Sequence, residues 1–282
     1  MRLANLAGRL VLVDGDRALD VERSSGGTFS SDPQSVFERW DEFRAWAQTA
    51  SLAGAERFDP RQLGSPVPSP RQIFAVGLNY RDHVDEVGLA HDVPVVFTKY
   101  VSSIAGPYDD IPHPGGHVDW EVELVAVIGR GGHGIREEDA WSHVAGLTIG
   151  QDISERITQH VGVTPQFSLG KSFPKFAPMG PVLVTPDELD DPDDVALETV
   201  VNGETVQSSR TSFMTSSVSR LIAQLSSITT LLPGDVIFTG TPSGVGLGMV
   251  PPRYLNVGDE LVTRIEGVGE LRNRIVARQE VA

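Results

Sequence analysis

The segment Asp119-Trp120-Glu121-Val122-Glu123-Leu124 constrains the fold of this chain more than any other. It sets two carboxylates two positions apart at the head of a strongly apolar run. A β-strand alternates its side chains with period two. Glu121 and Glu123 therefore project from one face, and Trp120, Val122 and Leu124 from the other. The apolar face requires a core. Two like charges side by side are costly unless something neutralises them. A divalent cation neutralises both at once, so the segment reads as a candidate metal site on a core strand. Glu-x-Glu also suits the solvent face of an edge strand, and the spacing alone does not separate the two readings.

The surrounding pattern is mostly strands. Ile73–Val76, Val93–Thr98, Trp120–Ile128, Ala145–Ile149, Val182–Val184 and Val236–Thr239 are apolar and rich in β-branched residues. Val195–Val201 and Thr205–Ser208 flank Asn202-Gly203, a strong hairpin signal. Leu261–Glu266 and Leu271–Ala277 read as a further hairpin around Gly267 and Gly269. One long helix is predicted, because Val218, Leu221, Ile222, Leu225, Ile228 and Leu232 fall at helical spacing and Pro233-Gly234 stops the run.

Residues 1–53 read as a small unit of their own. It has a hairpin, Leu10–Val13 and Ala18–Val21 about Asp14-Gly15, then a helix capped by Asp32 with Pro33 first and Val36, Trp40, Phe43 and Ala47 as its apolar stripe. Residues 54–72 carry so many Gly, Pro and Ser that they read as a linker. The boundary falls at 69/70. Residues 1–69 form a small N-terminal α+β domain with its linker, and 70–282 the larger domain. The class is β-rich α+β.

Composition narrows the function. Lys plus Arg total 23 against 38 Asp plus Glu, a net charge of -15 that repels nucleic-acid phosphates and anionic lipid. The absence of cysteine removes disulfides, thiolate metal sites and thiol nucleophiles. It agrees with a cytoplasmic setting. The first residues lack the apolar core of a signal peptide, and no stretch reaches the length of a membrane span.

Further groups suit the same chemistry. Asp152 ends the apolar run Leu147–Ile149 closely enough to join Glu121 and Glu123 as a third carboxylate. An all-oxygen set suits a hard cation such as Mg²⁺, Mn²⁺ or Ca²⁺. His83 and Glu86 sit one turn apart if a helix starts near Tyr80, and a carboxylate beside an imidazole makes a general base. On their own, these two residues suit a solvated helix start better than a base. Lys171 lies in an apolar, Pro-rich segment, Gly170–Pro181, where an ammonium is held against a carboxylate or an oxyanion. Lys99 ends an apolar strand and either lines the same cleft or snorkels past the core. The turn Gly240–Gly246 offers backbone amides and the Thr241 hydroxyl to a carboxylate, or is a plain structural turn.

Gly77–Glu86, Asp119–Leu124, Gly150–Ser154, Gly170–Pro181 and Gly240–Gly246 together, in this order, make the chain resemble the fumarylacetoacetate hydrolase superfamily. The similarity is to its acylpyruvate hydrolase and 2-hydroxyhepta-2,4-diene-1,7-dioate isomerase-like branch. The resemblance implies a mixed β-sandwich roll, a bound Mg²⁺ or Mn²⁺ and a homodimer. It puts Glu121, Glu123 and Asp152 at the metal, and His83 and Glu86 in a water-activating dyad. Lys171 takes the place of the oxyanion-stabilising lysine. Lys99, Arg156, Gln159 and Thr241 fall to the substrate. The chain departs from the pattern at Ile157, where many members have Asp, and at Tyr100, where proline is common.

The activity so implied is hydrolysis of a C–C bond in a 1,3-dicarbonyl acid of the acylpyruvate or fumarylpyruvate type, with the metal taking the charge of the pyruvate enolate. The same site suits decarboxylation of an oxaloacetate-type acid, or isomerisation or hydration of a 2-oxo-dienoate from ring cleavage. A reading of another class is a binding module with a structural metal, which needs neither the dyad nor the lysine.

Overall fold

The acidic segment lies at the centre of a large sheet. In the computed structural model, which describes residues 1–81 and 95–278, Val122–Ile128 runs between Val144–Gln151 and Val236–Phe238, antiparallel to both. Both of its faces are buried. Val122, Leu124, Ala126 and Ile128 enter one core, and Val125 and Val127 enter another on the opposite side. Burying an aliphatic side chain contributes about 1.5–3 kcal/mol. A one-residue slip would exchange the two faces, so the apolar residues below Glu123 fix the register that places it.

From edge to edge the main path of this sheet is Glu56–Arg57, Arg17–Asp20, Arg9–Asp14, Arg2–Leu6, Ala177–Val184, Val144–Gln151, Val122–Ile128, Val236–Phe238, Ile73–Gly77 and Val95–Phe97. Ile73–Gly77 runs parallel to Val236–Phe238, and most other neighbours are antiparallel. A second sheet of five strands runs Glu204–Arg210, Ala196–Val201, Glu260–Ile265, Gly269–Ala277 and Ile111–His113. Leu197, Ile265 and Leu271 of this sheet share a core with Val122 and Leu124 of the first, which closes the predicted mixed β-sandwich roll. The Asn202-Gly203 hairpin forms as read. Both turn residues have positive φ, 52° and 85°, the geometry for which Asn-Gly is suited.

Two expectations about helices change. The helix Val218–Ser226 buries Val218, Leu221, Ile222 and Leu225 as predicted, but it ends before Leu232 and leaves Ile228 85% exposed. Leu231 instead exchanges two backbone hydrogen bonds with Gly132, both 2.9 Å, and the Asp235 carboxylate accepts from Leu232 N–H. Tertiary pairing outcompetes the helical spacing there. Near the N-terminus, Asp32 accepts from Gln34 N–H at 3.0 Å, and the chain forms a 3₁₀ turn over Ser35–Arg39 before the α-helix Trp40–Ala47.

The breaker-rich stretch is docked onto the body. Leu63–Gly64 pairs with Asn5 and Leu6, Asn5 donates to the Ser65 carbonyl, and Val67 is fully buried. The N-terminal strands continue the large sheet through the pairing of Arg2–Leu6 with Ala177–Val184. Phe37 and Phe43 share a core with Val125 and Phe238.

Candidate metal centre and cavity

The three acidic residues expected at the metal come together. Glu121, Glu123 and Asp152 are buried, and one oxygen from each lies within 4.8 Å of the others. Strand pairing brings this about. Val122 faces Gln151 and Glu123 faces Gly150, so Asp152 leaves its strand beside Glu121, and its N–H donates to the Glu121 carbonyl at 2.9 Å. Gly150 is required by packing, because a Cβ there would lie 2.5 Å from both Phe238 and Val125. Gly240, at φ +100°, turns its N–H onto Glu123 Oε2 at 2.7 Å.

Three cations surround the cluster. Lys171 Nζ donates to Glu121 Oε2 and Asp152 Oδ2, both at 2.7 Å, and lies 5.0 Å from the centre of the Phe97 ring. Lys99 Nζ donates to Asp152 Oδ1 at 2.6 Å and to the Lys171 carbonyl. Arg156 pairs with Asp119 Oδ2 and with Glu121 Oε1, each at 2.7 Å, and also donates to Gln159 Oε1 at 2.9 Å. Burial pulls the Lys99 ammonium below its ordinary range, and Asp152 only partly offsets this. Burial acts likewise on Lys171, but there Asp152 and Glu121 outweigh it and hold that ammonium above its ordinary value.

These cations pair with Asp119, Glu121 and Asp152. Among the described residues Glu123 pairs with none. Burial first, then the charges of Asp152 and Glu121, push its carboxyl well above the usual range. A fully buried carboxylate without a counter-ion among the described residues, beside two others, fits a divalent cation. The donors are all oxygen, which suits a hard ion. Oxygens already bonded to lysine or arginine keep further lone pairs for coordination.

A cavity of about 320 Å³ opens beside the cluster, at Glu121. Glu121, Arg156, Gln159, Lys171 and Thr241 line its polar end, and Leu78, Phe97, Phe167, Val245 and Leu247 its apolar walls. Lys99, expected at the substrate, is displaced from this lining: it is 1% exposed and reaches Asp152 from behind. Arg156 and Gln159 are at the cavity but also bind each other and Glu121. His83 and Glu86 lie outside the described residues. Ile157 and Tyr100, the two departures, are both exposed.

The sequence reading left several supporting residues without a role. Asp119 accepts from Trp120, Gly246 and Leu247 N–H groups as well as from Arg156, which ties the Gly240–Gly246 turn to the cluster. Gln151 accepts from Glu121 N–H at 2.9 Å, and Gln207 accepts from Val122 N–H at 3.1 Å. Glutamines separated so widely in sequence carry no local pattern, and only strand pairing brings them together.

A family model described as "Fumarylacetoacetate (FAA) hydrolase C-terminal" matches residues 72–276. The chain belongs to the fumarylacetoacetate hydrolase family. The matched span holds every residue of the cluster and its cations. A human mitochondrial oxaloacetate tautomerase is 45% identical over 215 residues, 75% of this chain and 68% of the relative. A crystal structure of a putative HpcE protein from Mycobacterium smegmatis superposes with a TM-score of 0.95 at 56% identity, covering 99% of this chain and 100% of the other. Maleylpyruvate hydrolase from Sphingobium sp. SYK-6, in complex with manganese(II) and pyruvate, superposes with a TM-score of 0.82 at 29% identity, covering 99% and 100%. Among the described residues, no helix is long and apolar enough to cross a membrane.

Proposed function

We propose that this chain is a divalent-metal-dependent hydrolase that cleaves a C–C bond in a 1,3-dicarbonyl acid of the acylpyruvate or fumarylpyruvate type. One observation carries the reading: Glu123, buried without a cation partner among the described residues, clusters with Asp152 and with Glu121, which lines a cavity together with Lys171 and Thr241. The family neighbour described with manganese and pyruvate supports it. Glu121, Glu123 and Asp152 hold Mg²⁺ or Mn²⁺, and Ca²⁺ also suits their oxygens. When bound, the ion supplies Lewis-acid stabilisation of the negative charge developing on a 2-oxo acid.

The protein's own residues do the rest. Thr241 donates its hydroxyl to the substrate carboxylate. Arg156, anchored on Asp119, keeps Glu121 aimed at the ion. His83, oriented by Glu86, takes a proton from water, and the resulting hydroxide adds to the distal carbonyl. Lys171, held in its charged form, stabilises the oxyanion of that adduct until the C–C bond breaks, releasing an acid and leaving the bonding pair on the pyruvate carbon, which takes up the proton that His83 removed from water. The apolar walls around Phe97 and Phe167 exclude bulk water and suit a short carbon chain. A homodimer in the cytoplasm completes the reading.

A second reading is favoured by the human relative, whose described activity is tautomerisation of oxaloacetate. That reaction moves a proton between carbon and oxygen and needs no hydrolytic water. Both are tested by incubating the protein with Mg²⁺ or Mn²⁺ and either acylpyruvates or oxaloacetate, with products followed by NMR. Hydrolysis gives pyruvate plus a second acid. Tautomerisation only speeds the keto–enol exchange. His83→Ala loses hydrolysis and keeps metal binding, and unchanged turnover removes the dyad. Unfolding on EDTA treatment, with no substrate turned over, favours a structural metal.

A further inference from the structure

We infer that Gln207 is a positioning residue that keeps the Thr241 hydroxyl hydrogen free to donate into the cavity, and so favours an acceptor, the carboxylate of a 2-oxo acid, at that point. The inference rests on the proposed function and deepens it. Gln207 lies on Glu204–Arg210 of the five-stranded sheet and is 2% exposed. Its side chain makes four hydrogen bonds. Oε1 accepts from Val122 N–H at 3.1 Å and from Thr199 Oγ1 at 2.9 Å. Nε2 donates to Thr241 Oγ1 and to the Pro242 carbonyl, both at 2.9 Å.

Backbone groups decide which way this amide points. Val122 N–H can only donate, and the Pro242 carbonyl can only accept. Flipping the amide would set donor against donor and acceptor against acceptor in a buried place, which is costly. Gln207 must therefore donate to Thr241. A hydroxyl has one hydrogen. With its oxygen accepting from Gln207, Thr241 keeps that hydrogen for something else, and no described residue takes it. Thr241 lines the cavity.

The same polarity is imposed from the other end. Gln151 Oε1 accepts from Glu121 N–H at 2.9 Å, so its Nε2 faces Thr199 and donates to it at 3.0 Å. Thr199 must then pass its own hydrogen to Gln207 Oε1, as the 2.9 Å contact allows. The chain Gln151, Thr199, Gln207, Thr241 has one consistent direction, set by backbone amides of the strand that carries the metal-binding carboxylates. A carboxylate oxygen is received by the Thr241 hydrogen, whereas a ligand donor reaches only the hydroxyl's remaining lone pair and leaves that hydrogen unmatched.

The test is a double-mutant cycle on ligand binding rather than turnover. Dissociation constants for pyruvate and oxalate are measured by calorimetry with Mg²⁺ present, for wild type, Thr241→Val, Gln207→Met and the double variant. Thr241→Val removes the donor and is expected to weaken binding about tenfold, as for a hydrogen bond to a charged group. Gln207→Met lets the hydroxyl turn and is expected to weaken binding about three- to tenfold. In the Thr241→Val background, Gln207→Met should then add nothing, because Gln207 acts through the hydroxyl. Thr241→Ser should retain wild-type affinity within about threefold. Gln207→Asn, one methylene too short to bridge Val122 and Thr241, repeats the cycle should Gln207→Met not fold. Losses that simply add, or a Gln207 variant that binds both acids as wild type does while Thr241→Val does not, overturn the inference alone. A wild-type chain that binds neither acid with Mg²⁺ overturns the 2-oxo acid reading and the inference with it.

Discussion

Replacing Glu123 by glutamine separates the cost of the acidic cluster from its use. Glu123 is 1% exposed, accepts from Gly240 N–H at 2.7 Å and has no cation partner among the described residues. Glutamine keeps the shape and an oxygen for Gly240, and its NH₂ group faces the carboxylates of Glu121 and Asp152, both good acceptors. At a pH above the one at which the buried Glu123 gives up its proton, the metal-free variant therefore lacks an uncompensated buried charge and is expected to gain about 1–3 kcal/mol. At about 2–4 °C per kcal/mol, its Tm rises by roughly 2–12 °C. With metal the gap closes or reverses. At a hundred times its dissociation constant, a metal stabilises the wild-type chain by about 2.7 kcal/mol. That is a rise of roughly 5–11 °C. Glu123→Gln, with one anionic ligand gone, shows almost none of it at the same concentration. Scanning calorimetry in EDTA and across a Mg²⁺ or Mn²⁺ series reads both effects. A variant that is less stable without metal, or that keeps the wild-type response to metal, refutes this assignment of Glu123.

Three other outcomes follow from the same geometry. Asp119→Ala leaves the Trp120, Gly246 and Leu247 amides without their acceptor and Arg156 with Glu121 as its remaining carboxylate among the described residues, and is expected to cost about 3–5 kcal/mol, read as a lower urea midpoint; a midpoint within error of wild type contradicts the hub role of Asp119. Gly150→Ala drives a methyl into Phe238 and Val125, and should cost about 1–3 kcal/mol while weakening Mg²⁺ binding, because Asp152 lies two residues further along the same chain; unchanged stability and affinity in calorimetry refute the packing requirement. The third concerns pH. Burial raises the Glu123 carboxyl above its ordinary 4.5, so the stability it contributes without metal is full below that value and is lost as pH rises through the folded-state pKa. Metal must displace that proton, so affinity rises with pH across the window. Calorimetry at about pH 5 in buffers of different ionisation enthalpy should show proton release on Mg²⁺ binding; heats independent of buffer contradict it.

Much of the site was legible because its carboxylates obey local rules. The period-two spacing of Glu121 and Glu123 and the placement of Asp152 at the end of an apolar run locate a cluster that the structure assembles. The Asn202-Gly203 hairpin was equally plain, since its turn chemistry is set by two adjacent residues. What local pattern did not reveal depends on contacts far apart in sequence. Helical spacing continues past Ser226, but pairing of Leu231 with Gly132 ends the helix there. Lys99 ends a strand as read, yet it points beneath Asp152 because the Lys171 carbonyl and Asp152 receive it there. The prolines and glycines of residues 54–72 signal irregular backbone correctly. They do not reveal that Asn5 and Leu6 hold it against the sheet. Asp119, Gln151 and Gln207 are ordinary polar residues in strand-rich sequence, and their roles follow only from which strands become neighbours.

The most direct measurement is the anomalous scattering of a crystal soaked in Mn²⁺. One strong peak is predicted, bounded by carboxylate oxygens of Glu121, Glu123 and Asp152, with the cavity above it. A crystal that shows no peak there at saturating Mn²⁺, or shows the ion held by other residues, contradicts a metal centre built from these three side chains.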